Sequence, residues 1–452
     1  MLGYEFEFLM QNRNTREPLS HEEFNLFHEA LAKDGWETGK DPLTGGIIYS
    51  KKGGIKVTTD DSIYVAEVNM PPEKTVNEAD KRMKELMGYL NRVLDSLKID
   101  NLGIGMFPTH VPDDYDYTCN KAFIQYITPR RYWLNRTLMH KIAACQYWFD
   151  VPKEKLAEYA NIMNKLNGVC VALLGNSSFS ENKQNPNIEE RLIAWEKFVE
   201  NPYEYDKKIT GLPDREFNSF RDYLDYCFKA TFYGCAWFSG IPYYLEDHSK
   251  TNKDYFFSDE IEVLQVDGKR KTIKPGLENL YDLIQKNMFF DCRVKFDFKK
   301  NAKVEDFKKG YLDGDETALL DLIDKAFVEC RMIASQNRDE FSVGAAFLRG
   351  LLENLEGTKN LLNAHDYEYW KELRDKAIEN GLDFEIEGKH IADIQDEFLQ
   401  VSEEGLKKRG FGEEKFLVKA KELVSKRENP GQRKVRLFEE GGMEKVIKDC
   451  VL

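Results

Sequence analysis

The chain has 452 residues, of which 42% are hydrophobic and 13% aromatic, enough to close a large core and to exclude intrinsic disorder. A formal net charge of -14 argues against nonspecific binding to nucleic acid or to an anionic membrane surface. It leaves a nucleotide substrate open, because a site needs only local cations or a metal ion. Eight cysteines without a C-x-x-C pair read as reduced thiols, not as a disulfide framework or a zinc knuckle. With no basic-then-apolar leader and no apolar run of membrane-spanning length, the expectation is a soluble cytoplasmic protein.

The first stretch, Gly3-Tyr4-Glu5-Phe6-Glu7-Phe8-Leu9-Met10, alternates at a period of two. It places Tyr4, Phe6 and Phe8 on one face of a strand and Glu5 and Glu7 on the other. Two carboxylates on one rigid face repel each other, which is tolerable in water or around a divalent cation. A solvated strand face and a metal site are both open on this stretch alone. Residues 21–34 read as a helix on the spacing of Phe24, Phe27 and Leu31. Three short strands follow, at 45–50, 53–58 and 62–69, punctuated by Gly-Gly and Asp60-Asp61 and closed by Pro71-Pro72. This is the pattern of an antiparallel meander. Residues 73–98 read as a long amphipathic helix with Met83, Leu86, Met87, Leu90, Val93, Leu94 and Leu97 on its buried stripe.

A strand is expected at 102–107, a Pro-, Asp- and Tyr-rich loop at 108–118, a helix at 128–140, a buried strand at 142–151 and a helix at 153–174. The aromatic middle, 180–260, shows helical periodicity at 214–230, and 288–298 alternates like a strand. From 315 onward the chain reads as helix after helix: 315–336, 341–356, 366–380, 389–408, 413–427 and 432–450. The layout is α+β with a mainly antiparallel sheet. A sheet-containing core spans 1–310, and a helical region, 311–452, packs on it as part of one large domain.

Phosphate-loop, dinucleotide-binding, zincin and nucleophile-elbow motifs are absent, and the seven histidines do not cluster. The chemistry available is carboxylates on strands and a few arginines. Glu67 is a third carboxylate on a strand face, with Asp60 and Asp61 at the preceding turn. If its strand pairs near 3–10, then Glu5, Glu7 and Glu67 converge, and an all-oxygen set suits Mg²⁺ or Mn²⁺ better than zinc.

Gly3-Tyr-Glu-Phe-Glu-Phe8, followed by Asp61 and Glu67-Val-Asn-Met-Pro-Pro72, resembles the opening of the glutamate–cysteine ligase family, carboxylate–amine ligases related to glutamine synthetase. Ala144-Cys-Gln-Tyr-Trp-Phe-Asp150 is similar to the family's Ser-Val-Gln-Val-Asn-Leu-Asp strand, and Leu173-Leu-Gly-Asn-Ser-Ser-Phe179 to its Leu-Phe-Ala-Asn-Ser-Pro-Phe loop. Arg191 with Trp195, then 405–410 and 429–432, continue the resemblance in order.

The resemblance implies a curved antiparallel sheet forming a funnel, flanked by helices, with ATP and two or more Mg²⁺ ions. The reaction it implies joins glutamate, through a γ-glutamyl phosphate, to cysteine or another amine. Glu5, Glu7 and Glu67 would hold metal, and Gln146, Asn176 and Arg191 would bind nucleotide or substrate. Trp148 stands where the family has Asn, and Ser178 where it has Pro. The family also has a late Glu-x-Arg strand, whose Glu ligates metal and whose Arg meets the transferring phosphoryl group. The nearest stretch is Phe290-Asp291-Cys292-Arg293-Val294, where Asp291 would be the metal ligand and Arg293 the catalytic arginine. A second register sets Arg293-Val-Lys295 on an upstream Arg-x-Lys of the family and leaves Glu-x-Arg without a counterpart. Against the ligase stand a homologue that binds ligand without ligation, motivated by that stretch, and a metal-dependent hydrolase using the same carboxylates.

Overall fold

The computed structural model describes residues 1–112, 118–127, 136–198, 204–235 and 241–452. Its centre is the first stretch of the sequence. Strand β1 (Leu2–Asn12) lies inside a nine-stranded sheet with β2 (Glu37–Lys40), β3 (Ile47–Lys52), β4 (Ile55–Thr59), β5 (Val65–Glu73), β6 (Ile99–Leu102), β7 (Cys145–Asp150), β8 (Cys292–Phe298) and β9 (Ile323–Cys330). The order is β8-β9-β7-β1-β5-β4-β3-β2, with β6 also paired to β1, and every pairing is antiparallel.

The period of two sorts the sheet into two faces. Tyr4, Phe6 and Phe8 of β1 join Val68 of β5, Tyr147 and Phe149 of β7 and Val328 of β9 on an apolar, fully buried face. Helix α5 (Phe341–Glu353) covers it: Phe341 packs 5.0 Å from Phe6, ring to ring, and its carbonyl accepts from the Tyr147 hydroxyl at 2.8 Å. Two more helices begin in reciprocal capping boxes, α1 (His21–Lys33) on Ser20 and Glu23, and α2 (Val76–Leu97) on Thr75 and Glu78. Behind the sheet, α5 crosses α6 (Ile391–Arg409) closely. A Cβ on Gly405 would stand 2.0 Å from the Gly350 carbonyl, so glycine is required there.

The antiparallel meander, the first two helices and the C-terminal helical layer agree with the sequence reading. Several elements differ, among them β5, which runs through Pro71-Pro72 to Glu73 where the prolines are expected to end it. The expected strand at 102–107 lies earlier, at Ile99–Leu102. The helix expected at 153–174 is two, α3 (Leu156–Lys165) and α4 (Asn167–Leu174). Of the helix expected at 128–140, residues 128–135 lie outside the described residues, and Arg136–Lys141 is a 3₁₀ turn. Most consequential, the helix expected at 315–336 stops at Asp321, and Ile323–Cys330 is β9, seated between β7 and β8. The apolar residues 319, 320, 322 and 323 imitate a helical stripe, but the alternation of Ala326, Val328 and Cys330 with Phe327, Glu329 and Arg331 is that of a strand.

Candidate functional site

The second face of the sheet is polar. Register sets Glu5 of β1 opposite Gln146 of β7 on one side and Asn69 of β5 on the other, and sets Glu7 opposite Glu67. Two residues on from Arg293, Lys295 shares its face of β8. Arg293 faces Glu329, and β9 runs on to Arg331. These side chains line a cavity of 510 Å³, with Asp60 and Asp61 from the β4–β5 turn and Lys56, Lys121 and Lys286 completing its charges. An apolar wall closes part of it, where Trp195 stacks on Phe289 at 5.2 Å and the Arg331 guanidinium lies over Trp195.

Hydrogen bonds tie the acidic and basic sides together. Glu7 accepts from the Ala144 N–H at 2.7 Å and from Gln146 Nε2 at 2.8 Å, and Gln146 Oε1 accepts from Arg331 Nη1 at 2.7 Å. Glu329 is ion-paired with Arg293, with Lys295 and Arg331 each 3.8 Å away. Arg293 also donates to the carbonyls of Lys286 and Met288 at 2.8 and 3.1 Å.

The two acid groups titrate in opposite senses. Burial alone would raise the Glu329 carboxyl, but Arg293, Lys295 and Arg331 outweigh it and hold it at about 2. Burial, then the charges of Glu67 and Glu329, push Glu5 up to about 8. Glu7 is raised well above the carboxylate range by burial, then by Asp60, Glu5 and Glu67. On the basic side, burial and then Arg293 bring Lys295 down to about 7, and burial and then Lys121 bring Lys286 down to about 8. The cavity thus sets the buried carboxylates of β1 across from crowded cations on β8 and β9.

Of the eight residues singled out in the sequence, Glu5, Glu7, Glu67, Gln146 and Arg293 line this cavity. Three do not. Asp291 is buried away from it, accepting from Asn167 Nδ2 and Arg374 Nε, both at 2.9 Å. It is a structural counter-ion in the position given to a metal ligand. Asn176 is fully buried and donates to the carbonyls of Gly103 and Ser335 at 3.0 and 2.8 Å. Arg191, 2% exposed, pairs with Glu189 and donates to the main-chain carbonyl of Arg331 at 3.0 Å, so it braces the cavity wall from behind.

The residues the sequence reading missed are Glu329 and Arg331. They spell Glu-Cys-Arg in plain order, and the signal was hidden by assigning 315–336 to a helix. With β9 in place, Arg293-Val-Lys295 and Glu329-Cys-Arg331 lie on neighbouring stretches of β8 and β9, and the second register, which had left Glu-x-Arg without a counterpart, gains a candidate for it. Among the described residues, no three acidic, histidine or cysteine side chains stand close enough to form a ready-made metal cluster.

Residues 1–235 match the family model of glutamate–cysteine ligase family 2 (GCS2). The chain belongs to this family. The GCS2 match spans β1 to β7 and so includes Glu5, Glu7, Glu67 and Gln146, while β8 and β9 fall beyond it. Among solved structures the chain is similar to glutamate–cysteine ligase (gshA) from Francisella tularensis in complex with AMP, at 13% identity and a TM-score of 0.53 over 99% of this chain and 87% of that one. A bifunctional glutathione synthetase from Pasteurella multocida follows at 11% identity and a TM-score of 0.49, over 99% of this chain and 51% of that one. At these identities the likeness is one of fold. No curated protein matches in sequence. The GCS2 chain therefore carries a carboxylate–amine ligase fold, and no helix among its described residues is long and apolar enough to cross a membrane.

Proposed function

We propose that the protein is an ATP-dependent ligase that joins the γ-carboxylate of glutamate, through an acyl phosphate, to cysteine or another amine. The observation that carries this reading is the polar face of the sheet. There Glu5, Glu7 and Glu67 share one cavity with Gln146, Glu329 and Arg331, in a chain of the GCS2 family.

The donor set fits Mg²⁺, or Mn²⁺. It is all oxygen, and burial, then the neighbouring carboxylates, drive Glu5 and Glu7 upward, a burden that a divalent cation relieves. Glu5, Glu7, Glu67 and Glu329 would hold the metal, whose contribution is to neutralise polyphosphate and carboxylate oxygens that otherwise repel. Arg331, tethered by Gln146, would meet the transferring phosphoryl group, and Arg293 and Lys295 would bind phosphate oxygens. The protein supplies no nucleophile; it orients the carboxylate and the amine and excludes water. The eight free cysteines are all buried, which fits a cytoplasmic site of action.

The doubtful Glu-x-Arg stretch at 290–294 motivates a non-catalytic homologue; Glu329-Cys330-Arg331, beside β8, offers another candidate and favours the ligase reading. Phosphate release with ATP, Mg²⁺, glutamate and a panel of amines tests the reading. Turnover that needs all four components supports it. Amide cleavage without ATP, or no turnover together with no calorimetric binding of ATP, overturns it.

A further inference from the structure

Trp148 is an aromatic ring on the charged face of the sheet, and it divides that face into two spaces. On its inner side is the cavity described above. On its outer side is a chamber of 420 Å³, walled by Trp148, Phe327, Met70 and Pro72 and sharing Glu5 with the inner cavity. Trp148 and Phe327 are only half-buried, with ring centroids 6.3 Å apart and planes tilted by 42°. Gly3 faces Trp148 across the β1–β7 ladder, and a Cβ there would come within 3.2 Å of the Trp148 Cβ. The small residue leaves the indole its place.

The charges assign the two spaces to different guests. The inner cavity carries Lys56, Lys121, Lys286, Arg293, Lys295 and Arg331, enough cation for a polyphosphate chain. The outer chamber carries Glu5, Asp150, Asp297 and Lys325, besides the Met1 amino group paired with Asp150. A triphosphate would meet three carboxylates there against Lys325 and an amino terminus already paired with Asp150. An amino acid finds partners: its ammonium can face Glu5, beside the phosphoryl-transfer residues, and its carboxylate can face Lys325 at the exposed rim. The walls between those two points are apolar and ring-lined.

We propose that this outer chamber is the subsite for the accepting amine, and that Trp148 and Phe327 select an acceptor with a large apolar or aromatic side chain. The proposal rests on the ligase reading above.

The test is phosphate release with ATP, Mg²⁺ and glutamate, using L-alanine, L-cysteine, L-leucine and L-phenylalanine as acceptors, on wild type, Trp148→Asn and Phe327→Ser. The expected wild-type kcat/KM for leucine or phenylalanine exceeds that for alanine by about tenfold or more, the scale of a side chain filling an apolar pocket. Either substitution brings the ratio toward one, and Phe327→Ser, at a residue that lines the outer chamber and not the inner cavity, leaves the KM for ATP within about twofold. Equal use of all four acceptors by the wild type overturns the proposal. So does a Trp148→Asn variant whose ATP KM rises while its acceptor ratios hold, which would make the chamber a nucleobase site. If no acceptor supports turnover, calorimetric binding of ATP judges the ligase reading separately, and calorimetry with the amino acids decides the subsite. Leucine binding tighter than alanine in wild type and not in Trp148→Asn upholds it; equal or absent binding overturns it.

Discussion

Replacing Asp291 with Asn separates a structural carboxylate from a metal ligand. Asp291 and Arg374 are 4 and 5% exposed, with the Asp291 carboxylate 2.9 Å from the guanidinium. Removing the charge of one member of such a pair strands the other, at a cost of about 3–5 kcal/mol. Arg374 keeps Glu196 at 2.9 Å, but Glu196 is 40% exposed and its pairing is weakened by solvent. Asparagine retains an acceptor for Asn167, so the expected loss lies at the lower end, about 3 kcal/mol. Urea unfolding followed by circular dichroism measures it. In a separate cycle of Asp291→Leu, Arg374→Met and the double variant, the double should be less destabilised than the two singles summed, by about 2 kcal/mol or more. Turnover per folded molecule should be close to wild type in Asp291→Asn. Stability within about 0.5 kcal/mol of wild type, together with loss of metal-dependent turnover, would refute the placement of Asp291 outside the site.

Glu7→Gln should abolish Mg²⁺-dependent turnover and shift the unfolding midpoint only modestly: the Gln carbonyl still accepts from the Ala144 N–H, and the lost bond from Gln146 Nε2 is offset by relief of the burial and repulsion that raise Glu7. Activity and circular dichroism on one preparation check this. Arg331→Lys keeps the charge but loses the guanidinium fork, and should lower kcat by about 10²–10³-fold with a smaller change in the KM for ATP, read by steady-state kinetics. Burial brings His28, bonded to the Ser50 hydroxyl, down to about 3. The folded state therefore resists a proton that the unfolded state accepts near its ordinary value, and His28 costs stability as pH falls below that value toward 3. Between pH 6 and 4 the wild type should lose about 2–3 kcal/mol more than His28→Gln, measured by urea unfolding at each pH.

The sequence determined what depends on neighbours along the chain. The alternation of 3–10 is a strand in any context that buries Tyr4, Phe6 and Phe8, and it commits Glu5 and Glu7 to the opposite face. The meander, the capped helices and the convergence of Glu67 on Glu7 follow from equally local signals and a short connection. Only the tertiary structure decided the basic half of the site. β9 enters between β7 and β8, and that insertion brings Glu329 and Arg331 to Arg293 and Gln146, residues far from them along the chain. It also decided which residues of the family-like motifs face the cavity. Asn176 and Arg191 sit in recognisable stretches, yet their bonds go to main-chain carbonyls and, for Arg191, to Glu189 behind the wall. Periodicity fixes which face of an element a side chain occupies. Which element lies beside it is set by packing between distant segments, and no local pattern encodes that.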